Sequence, residues 1–200
     1  TDDYQTRAVI NFEGGNIRVE TVDRENSRKK LKTAIVHTVL TPEDPGKVDL
    51  LSDKQVKIGE KPFLYNLVLD EDNKPIRWQW RANRFAEHLM RTSLHEDDYN
   101  GRKRMYVSFR MVENHDAEQK QRYHTHVLRS SKRFGVDTSL IYAIMEVESS
   151  FNPYAMSPVP AYGLMQITLP TARDLGLRNP ADPVQNIMSG AKYIAQLREM

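Results

Sequence analysis

Two glutamates stand close together in the segment "MEVESSFNPYAM", residues 145–156, and carboxylates commonly transfer protons in enzymes. The residues leading into this segment carry apolar side chains at helical spacing, so successive side chains should lie about 100° apart around a helix. With Ile144 at the centre of the apolar side, Glu148 lies about 40° from that centre and Glu146 about 160° from it. We therefore expect Glu146 to be solvated and Glu148 to be pressed against hydrocarbon.

An acid on the apolar side of a helix has a definite chemical use. Loss of water disfavours the charged form, so Glu148 would keep its proton near neutral pH and could donate it as a general acid. The helix is expected to end near Ser149, and the loop that follows contains three prolines and Gly163, which gives the acid an opening towards a substrate. The pattern fits a structural role equally well, with Glu148 buried and hydrogen-bonded to the loop amides.

The composition excludes several other kinds of site. The 200 residues include no cysteine, which removes disulfides, thiolate nucleophiles and zinc–thiolate centres. A formal net charge of +2 is too small to indicate a nucleic-acid partner. No Walker, Rossmann, HExxH or Gly-x-Ser-x-Gly pattern is present, and His124 and His126 would lie on different helix faces. We therefore expect neither a metal nor another cofactor.

The first part of the chain alternates between strand and helix patterns. The patterns predict a β-hairpin around "EGGN", a helix that runs to about Leu40, a strand at 62–69, a helix at 78–94 and a strand at 104–112. Antiparallel strands packed by two helices form an α+β domain. We expect this small N-terminal α+β domain to occupy residues 1–115.

After residue 115 the strand patterns stop. The sequence predicts helices at about 116–133, 137–149, 168–175 and 183–200, and hence an all-α domain over residues 116–200. The chain begins with Thr1 and stops inside the last predicted helix without a stop signal. We therefore expect this domain to be truncated at its C-terminus and a segment, such as a signal or an anchor, to have been removed upstream of Thr1.

The stretch "ESSFNPYAMSPVPAYGLMQITLPTA" resembles the signature of the lysozyme-like lytic transglycosylases, which cleave bacterial peptidoglycan. The resemblance rests on Glu148-Ser149, Ser157 and the "GLMQ" of residues 163–166, at the spacing of that family, and spans about residues 120–195. The front half, with "INFEGGNIRVET", is similar to the N-terminal domain of a membrane-bound member of the same family. The resemblance implies an accessory domain followed by a goose-type lysozyme-like (SLT) catalytic domain in the periplasm, with a possible lipid anchor to the outer membrane.

The resemblance also implies a reaction and its residues. The family cleaves the β-1,4 bond between N-acetylmuramic acid and N-acetylglucosamine, with one glutamate as acid and then base, and forms a 1,6-anhydro sugar. Glu148 would take that catalytic role here. No acidic residue occurs between Glu148 and Asp174, so this loop lacks the second carboxylate that ordinary glycosidases use. The residues implied to bind the glycan are Ser149, Ser157, Tyr162, Met165 and Gln166; a core position for Met165 is at least as compatible with the sequence, and the role of Tyr162 stays open.

This sequence departs from the family in one respect and leaves two alternatives open. The family's third motif, Ala-Tyr-Asn, does not occur before Met200, so we expect the chain alone to be weakly active or inactive. One alternative is a muramidase that hydrolyses the same bond with water. The other is a module that binds glycan without cleaving it, as part of an envelope assembly.

Overall fold

The computed structural model describes residues 5–44 and 61–199. Backbone contacts divide the chain into two compact units. The first unit holds the described residues up to Glu43 and those from 61 to His115, and the second unit holds the residues from Asp116 onward together with Asp44. The two units have different architectures, because the first combines an antiparallel sheet with helices and the second is largely helical.

A four-stranded antiparallel sheet and two helices make up the first unit. Its elements are β1 (Thr6–Asn11), β2 (Asn16–Thr21), α1 (Ser27–Leu40), α2 (Gln79–Thr92), β3 (Leu94–Tyr99) and β4 (Arg102–Arg110). The strands lie in the order β1-β2-β4-β3. The predicted hairpin, both predicted helices and the last predicted strand are present, and the expected α+β class is confirmed.

Alternating side chains give the sheet one buried face. Ile17 and Val19 of β2 are buried, and Val19 pairs with the equally buried Val107 of β4. The helices pack against this face, and the rings of Phe85 in α2 and Phe109 in β4 meet edge to face with centroids 5.3 Å apart. Because successive strand residues point to opposite sides, the residues between these apolar positions form the opposite, polar face.

One prediction for the first unit is wrong, and one strand was not predicted. Residues 62–69 form buried turns instead of a strand: Val68 N–H donates to the Leu64 carbonyl at 3.0 Å, and Asn66 has a positive φ of 64°. A short apolar run satisfies a buried turn as well as a strand. The predicted helix at 78–94 ends at Thr92, and β3 follows it at once. Strand β3, "LHEDDY", is polar and, among the described strands, pairs with β4 alone at the edge of the sheet, so no apolar alternation predicted it.

A buried carboxylate joins one of these turns to α2. The Asp70 side chain is 0% exposed and forms ion pairs with Arg81 and, at 3.1 Å, with Arg84. Its Oδ1 accepts hydrogen bonds from the backbone amides of Asp72 at 3.0 Å and Lys74 at 2.9 Å. Burial acts to raise the pKa of Asp70, but the Lys74 amide and the Arg81 guanidinium stabilise the carboxylate more strongly and hold the pKa below its usual value.

The second unit is helical, with one short ladder. Its elements are α3 (His115–Phe134), α4 (Thr138–Ser149), β5 (Ala161–Tyr162), β6 (Ile167–Thr168), α5 (Leu169–Leu175) and α6 (Pro183–Arg198). The helices lie where the sequence predicts them, and Asp137 caps α4 by accepting from the Ser139 amide at 2.7 Å. The two-residue strands β5 and β6 were not predicted, because two paired residues leave no readable pattern.

The core of the second unit brings together its helices and the segment between β5 and β6. Twelve buried residues form it: Tyr123, Val127, Val136, Ile141, Met145, Phe151, Leu164, Met165, Ile167, Ala172, Ile187 and Ala191. Met145 belongs to α4, Leu164 to the β5–β6 segment and Ile187 to α6, so three separate parts of the sequence meet here. Their mutual burial fixes the end of α4 against the segment that follows it.

Candidate active site

Glu148 lies in the last turn of α4 and is exposed, which contradicts the predicted burial. The buried residues of this helix are Ile141 and Met145, whereas Leu140 is 42% exposed and Val147 84% exposed. The apolar side is therefore centred on Ile141 and Met145 and not on Ile144.

The physical reason for this error is axial rather than angular. Glu148 follows Ile141 by seven residues, which is about two helical turns, so the two side chains point in nearly the same direction. Ile141 is fully covered and Glu148 is not, so the packing on this side of α4 ends before the last turn. A helical wheel gives the direction of a side chain but does not show where along the axis the neighbouring elements stop.

The other glutamate has the surroundings that the sequence predicts. Glu146 is exposed, and its Oε2 lies 3.2 Å from Nζ of Lys120 on α3. This ion pair lies in solvent, where such pairs contribute little to stability. Glu146 is therefore a surface residue.

Ser149 connects the end of α4 to the β5–β6 segment. Its Oγ lies 2.9 Å from the carbonyl oxygen of Met145 in its own helix and 2.9 Å from that of Leu164. The half-buried hydroxyl is thus engaged by backbone carbonyls. Two sequence motifs, Glu148-Ser149 and the "GLMQ" of residues 163–166, are joined by this contact.

The helix ends abruptly after Ser149. Ser150 and Phe151 both have left-handed backbone conformations, with φ values of 47° and 60°. The Ser150 amide donates to the Glu146 carbonyl at 2.9 Å, and the Phe151 amide donates to the Met145 carbonyl at 3.3 Å. Phe151 is buried in the core, so the chain turns sharply away from the exposed side chain of Glu148.

The proline-rich loop carries Ser157 and leads into β5. The Ser157 hydroxyl donates to the Val159 carbonyl, and its backbone amide donates to the Ala161 carbonyl at 3.2 Å. Ser157 is half-buried, whereas the side chains of Met156 and Val159 on either side of it are exposed. The predicted site serine is thus accessible at the surface of the second unit.

Tyr162 precedes the "GLMQ" motif and Gln166 ends it, and the side chains of both residues are partly exposed. Both residues are half-buried. Gln166 has a positive φ of 45°, and its Nε2 donates to the carbonyls of Ala155 at 3.1 Å and Gly163 at 2.9 Å. These contacts fold the Gln166 side chain back onto the loop that carries Ser157.

Met165 occupies the core, as the alternative interpretation of the sequence had it. Its side chain belongs to the buried cluster and packs directly against Gly190 of α6. A Cβ at position 190 would lie 2.3 Å from the Met165 Sδ, so a larger residue there would require the Met165 side chain to move. With only 6% of its surface exposed, Met165 has little area left to offer a ligand.

Asn186 and Gly190 were not identified from the sequence. Asn186 is fully buried and binds the backbone on both sides of Gly163, at Tyr162 and Met165. Gly190 leaves the space that the Met165 side chain occupies. A weak signal was available, because Asn186 precedes Ile187 on the apolar side of a predicted helix, and a buried amide requires partners. Those partners lie more than 20 residues away, and the sequence offers no local indication of them.

Two titratable groups of the second unit have shifted pKa values. Burial raises the pKa of Tyr142, whose hydroxyl lies 2.9 Å from Nδ1 of His124. Hydrogen bonds from the amide and the side chain of Ser139 lower the pKa of Asp137 at the start of α4. Within the residues that the structure describes, no three histidine or carboxylate side chains cluster as metal ligands would.

Two family models match the chain. Residues 1–122 match the model for the N-terminal domain of membrane-bound lytic murein transglycosylase C. Residues 126–200 match the model for the transglycosylase SLT domain. The two matches together cover nearly the whole chain, and the second includes every site residue discussed above.

Curated relatives that match over nearly the full chain are named membrane-bound lytic murein transglycosylase C. A membrane-bound lytic murein transglycosylase C of Klebsiella pneumoniae subsp. pneumoniae is 43% identical over 100% of this chain. One from Sodalis glossinidius is 41% identical over 99% of it. In both cases the match covers 59% of the relative, so this chain spans somewhat more than half the length of these relatives.

A solved structure also matches in part. It is an inactive mutant of the lytic transglycosylase Slt from Pseudomonas aeruginosa, 31% identical over 38% of this chain and 14% of that one, with a TM-score of 0.35.

Among the described residues, no helix combines the length and the apolar composition that crossing a bilayer requires.

Proposed function

The chain belongs to the membrane-bound lytic murein transglycosylase C family, and on that premise we propose that it is a lytic transglycosylase acting on peptidoglycan. It would cleave the β-1,4 bond between N-acetylmuramic acid and N-acetylglucosamine and leave a 1,6-anhydro end. The observation that carries the proposal is the contact between Ser149 and the Leu164 carbonyl. This contact joins two of the three site motifs directly beside the accessible carboxyl group of Glu148.

Glu148 serves twice in the proposed reaction. Its proton passes to the glycosidic oxygen as the bond from that oxygen to C1 of the muramoyl sugar breaks. The resulting carboxylate takes the proton from the muramoyl C6 hydroxyl, whose oxygen forms the new bond to C1. Glu148 is thereby protonated again and no water is consumed. The N-acetyl group of the substrate can stabilise the positive charge at C1, as in substrate-assisted glycosidases.

The exposure of Glu148 assigns one task to the substrate. A glycan lying over the last turn of α4 would displace water from the carboxyl group, and loss of water favours the protonated form. Water around the carboxyl group would then be excluded by the bound sugar and not by the core of the second unit. The proposed glycan contacts are the partly exposed residues Ser157, Tyr162 and Gln166. Ser149 orients the end of α4, and Met165 packs between the "GLMQ" segment and Gly190 of α6.

The two units receive different roles in this proposal. Residues 116–200 form the catalytic domain, and residues 1–115 form an accessory domain. Peptidoglycan lies outside the cytoplasmic membrane, so the protein would act in the periplasm. The relatives are named membrane-bound, which supports attachment to a membrane. We propose that this attachment is a lipid anchor in the outer membrane.

The test is the chemistry of the released muropeptides. Full-length protein is incubated with purified murein sacculi, and the products are weighed by mass spectrometry. Products that are one water lighter than hydrolytic products, without reducing muramic acid ends, are expected, and Glu148→Gln should abolish them. Glu146→Gln is the matched control, because it removes a neighbouring exposed carboxyl group that forms an ion pair with Lys120. Reducing ends would identify a muramidase instead.

A glycan-binding module without catalysis is the second candidate. The observation that favours it is the exposure of Glu148, whose side chain is not enclosed by the core of the second unit. Wild-type protein that binds sacculi as tightly as Glu148→Gln, with no product from either, would support this module and refute the transglycosylase.

A further inference from the structure

We infer that Asn186 of α6 is a positioning residue for the reaction, an inference that rests on the function proposed above. Its side chain fixes the backbone of residues 162–165. That backbone in turn contacts Ser149, the residue next to Glu148. Asn186 therefore sets the distance between the helix end that carries the acid and the segment that carries Gln166.

Every polar atom of the Asn186 side chain is used. Oδ1 accepts from the Met165 amide at 2.7 Å, and Nδ2 donates to the carbonyls of Tyr162 at 2.7 Å and Pro180 at 2.8 Å. The residue is 0% exposed. An amide is the side-chain group that supplies one acceptor and two donors in this arrangement, and rotating it by half a turn would face its oxygen towards two carbonyl oxygens.

Two glycines show how closely α6 approaches this segment. A Cβ at Gly163 would lie 2.8 Å from Nδ2 of Asn186, and Gly163 has a positive φ of 74° that side chains disfavour. One helical turn further along α6, Gly190 leaves the space that Met165 fills. The segment is therefore held on α6 at two points, by hydrogen bonds at Asn186 and by packing at Gly190.

The backbone of residues 162–165 also contacts two of the site residues. The Leu164 carbonyl meets the hydroxyl of Ser149 at 2.9 Å, and the Gly163 carbonyl receives Nε2 of Gln166 at 2.9 Å. A shift of the backbone by about 1 Å would move Gln166 and the end of α4 relative to each other. Displacements of that size can lower the rate of an enzyme by about 100-fold.

The test compares turnover with binding in folded variants of the full-length protein. Asn186→Ala and Asn186→Ser are assayed on solubilised glycan strands, well below the melting temperature of each variant. We expect kcat to fall by about 100-fold for Asn186→Ala and less for Asn186→Ser, which retains one donor. KM should change by less than about threefold in both, because neither substitution removes a side chain that is proposed to contact the glycan.

The control is Ser189→Ala, which alters another buried polar residue of the same helix and should leave kcat unchanged. A merely structural role for Asn186 predicts lower melting temperatures with normal kcat in the folded fraction. That result for Asn186→Ala, or for Asn186→Ser if the alanine variant does not fold, would overturn the inference alone. Wild-type protein that forms no anhydro product would overturn the proposed transglycosylase function, and the inference with it.

Discussion

The two units stabilise their turns by different polar chemistry. In the first unit a buried carboxylate, Asp70, is paired with the guanidinium groups of Arg81 and Arg84. In the second unit a neutral amide, Asn186, and a hydroxyl, Ser149, bind backbone carbonyls and amides. The strength of the first arrangement depends on ionisation, whereas that of the second depends on hydrogen-bond geometry alone.

A second ionic cluster on the polar face of the sheet extends this contrast. Glu20 of β2 lies 2.7 Å from Arg7, 3.0 Å from Arg18 and 3.4 Å from Arg104. Arg104 also contacts Asp97 at 2.5 Å, and its hydrogen bond lowers the pKa of Asp97. We infer that acid and salt weaken the ionic clusters of the first unit, while the hydrogen bonds of Asn186 and Ser149 in the second unit, which involve no titratable group, persist as the pH falls.

The largest effect is expected from removal of the buried carboxylate. Asp70→Ala removes the acceptor of two turn amides and the buried partner of Arg81, and should lower the free energy of unfolding of the first unit by about 3–5 kcal/mol. Urea unfolding followed by tryptophan fluorescence measures this selectively. Both tryptophans, Trp78 and Trp80, belong to the first unit, and the Trp80 ring centroid lies 4.7 Å from the Arg81 guanidinium carbon.

The matched control for that measurement is Asp72→Ala. Asp72 also pairs with Arg84, but its side chain is 54% exposed, so its loss should cost less than about 1 kcal/mol. Equal destabilisation by the two variants would show that burial of Asp70 does not decide the effect.

A smaller loss is expected at the neutral site. Asn186→Ala leaves the buried Met165 amide without its acceptor, which should cost about 1–3 kcal/mol in the second unit. Far-UV circular dichroism should detect an earlier loss of helix during thermal unfolding. The urea midpoint of the first unit, measured by tryptophan fluorescence, should stay unchanged. A shift of that midpoint would show that the substitution also affects the stability of the first unit.

Acidification should remove the stabilisation that Asp70 gives the first unit. The pKa of Asp70 is lowered in the folded state, so its stabilising contribution is fully present above the ordinary carboxyl pKa of about 3.9. That contribution is lost as the pH falls from there towards the lower folded-state pKa. The difference in unfolding free energy between the wild type and Asp70→Asn should therefore shrink below about pH 4. A difference that stays constant down to pH 2 would contradict the lowered pKa.

The smallest effect is expected at the surface of the second unit. Glu146→Ala removes an exposed pair with Lys120 and should change the free energy of unfolding by less than about 0.5 kcal/mol. Chemical denaturation monitored by circular dichroism at low and high salt tests this. A change above 1 kcal/mol that disappears in salt would mean that ionic pairing also supports the second unit.

The sequence predicted those features whose determinants are local. The first hairpin followed from alternating residues around two glycines, and the cap of α4 followed from Asp137. The turns at 62–69 were mistaken for a strand because a buried apolar run has no distinctive period. The polar strand β3 depends on pairing with β4, which no pattern within its own six residues encodes.

The candidate site was predictable in its motifs and less so in its packing. The order of Glu148-Ser149, Ser157 and residues 163–166 is a property of the chain, and it led to the family that the comparisons established. The exposure of Glu148 depends on where the covering elements end, and the role of Asn186 depends on contacts across 21 and 24 residues. Such distant contacts are set by the folded backbone and leave no trace in local spacing.

The two consecutive left-handed residues after Ser149 have a consequence for engineering. Neither Ser150 nor Phe151 is glycine, so each of these conformations costs on the order of 1 kcal/mol. Ser150→Gly would remove the cost at Ser150 and should raise the melting temperature. It would also allow the end of α4 to fray, so that the position of the Glu148 carboxyl group would become less defined. Thermal robustness and catalytic accuracy would then be competing objectives at a single backbone position.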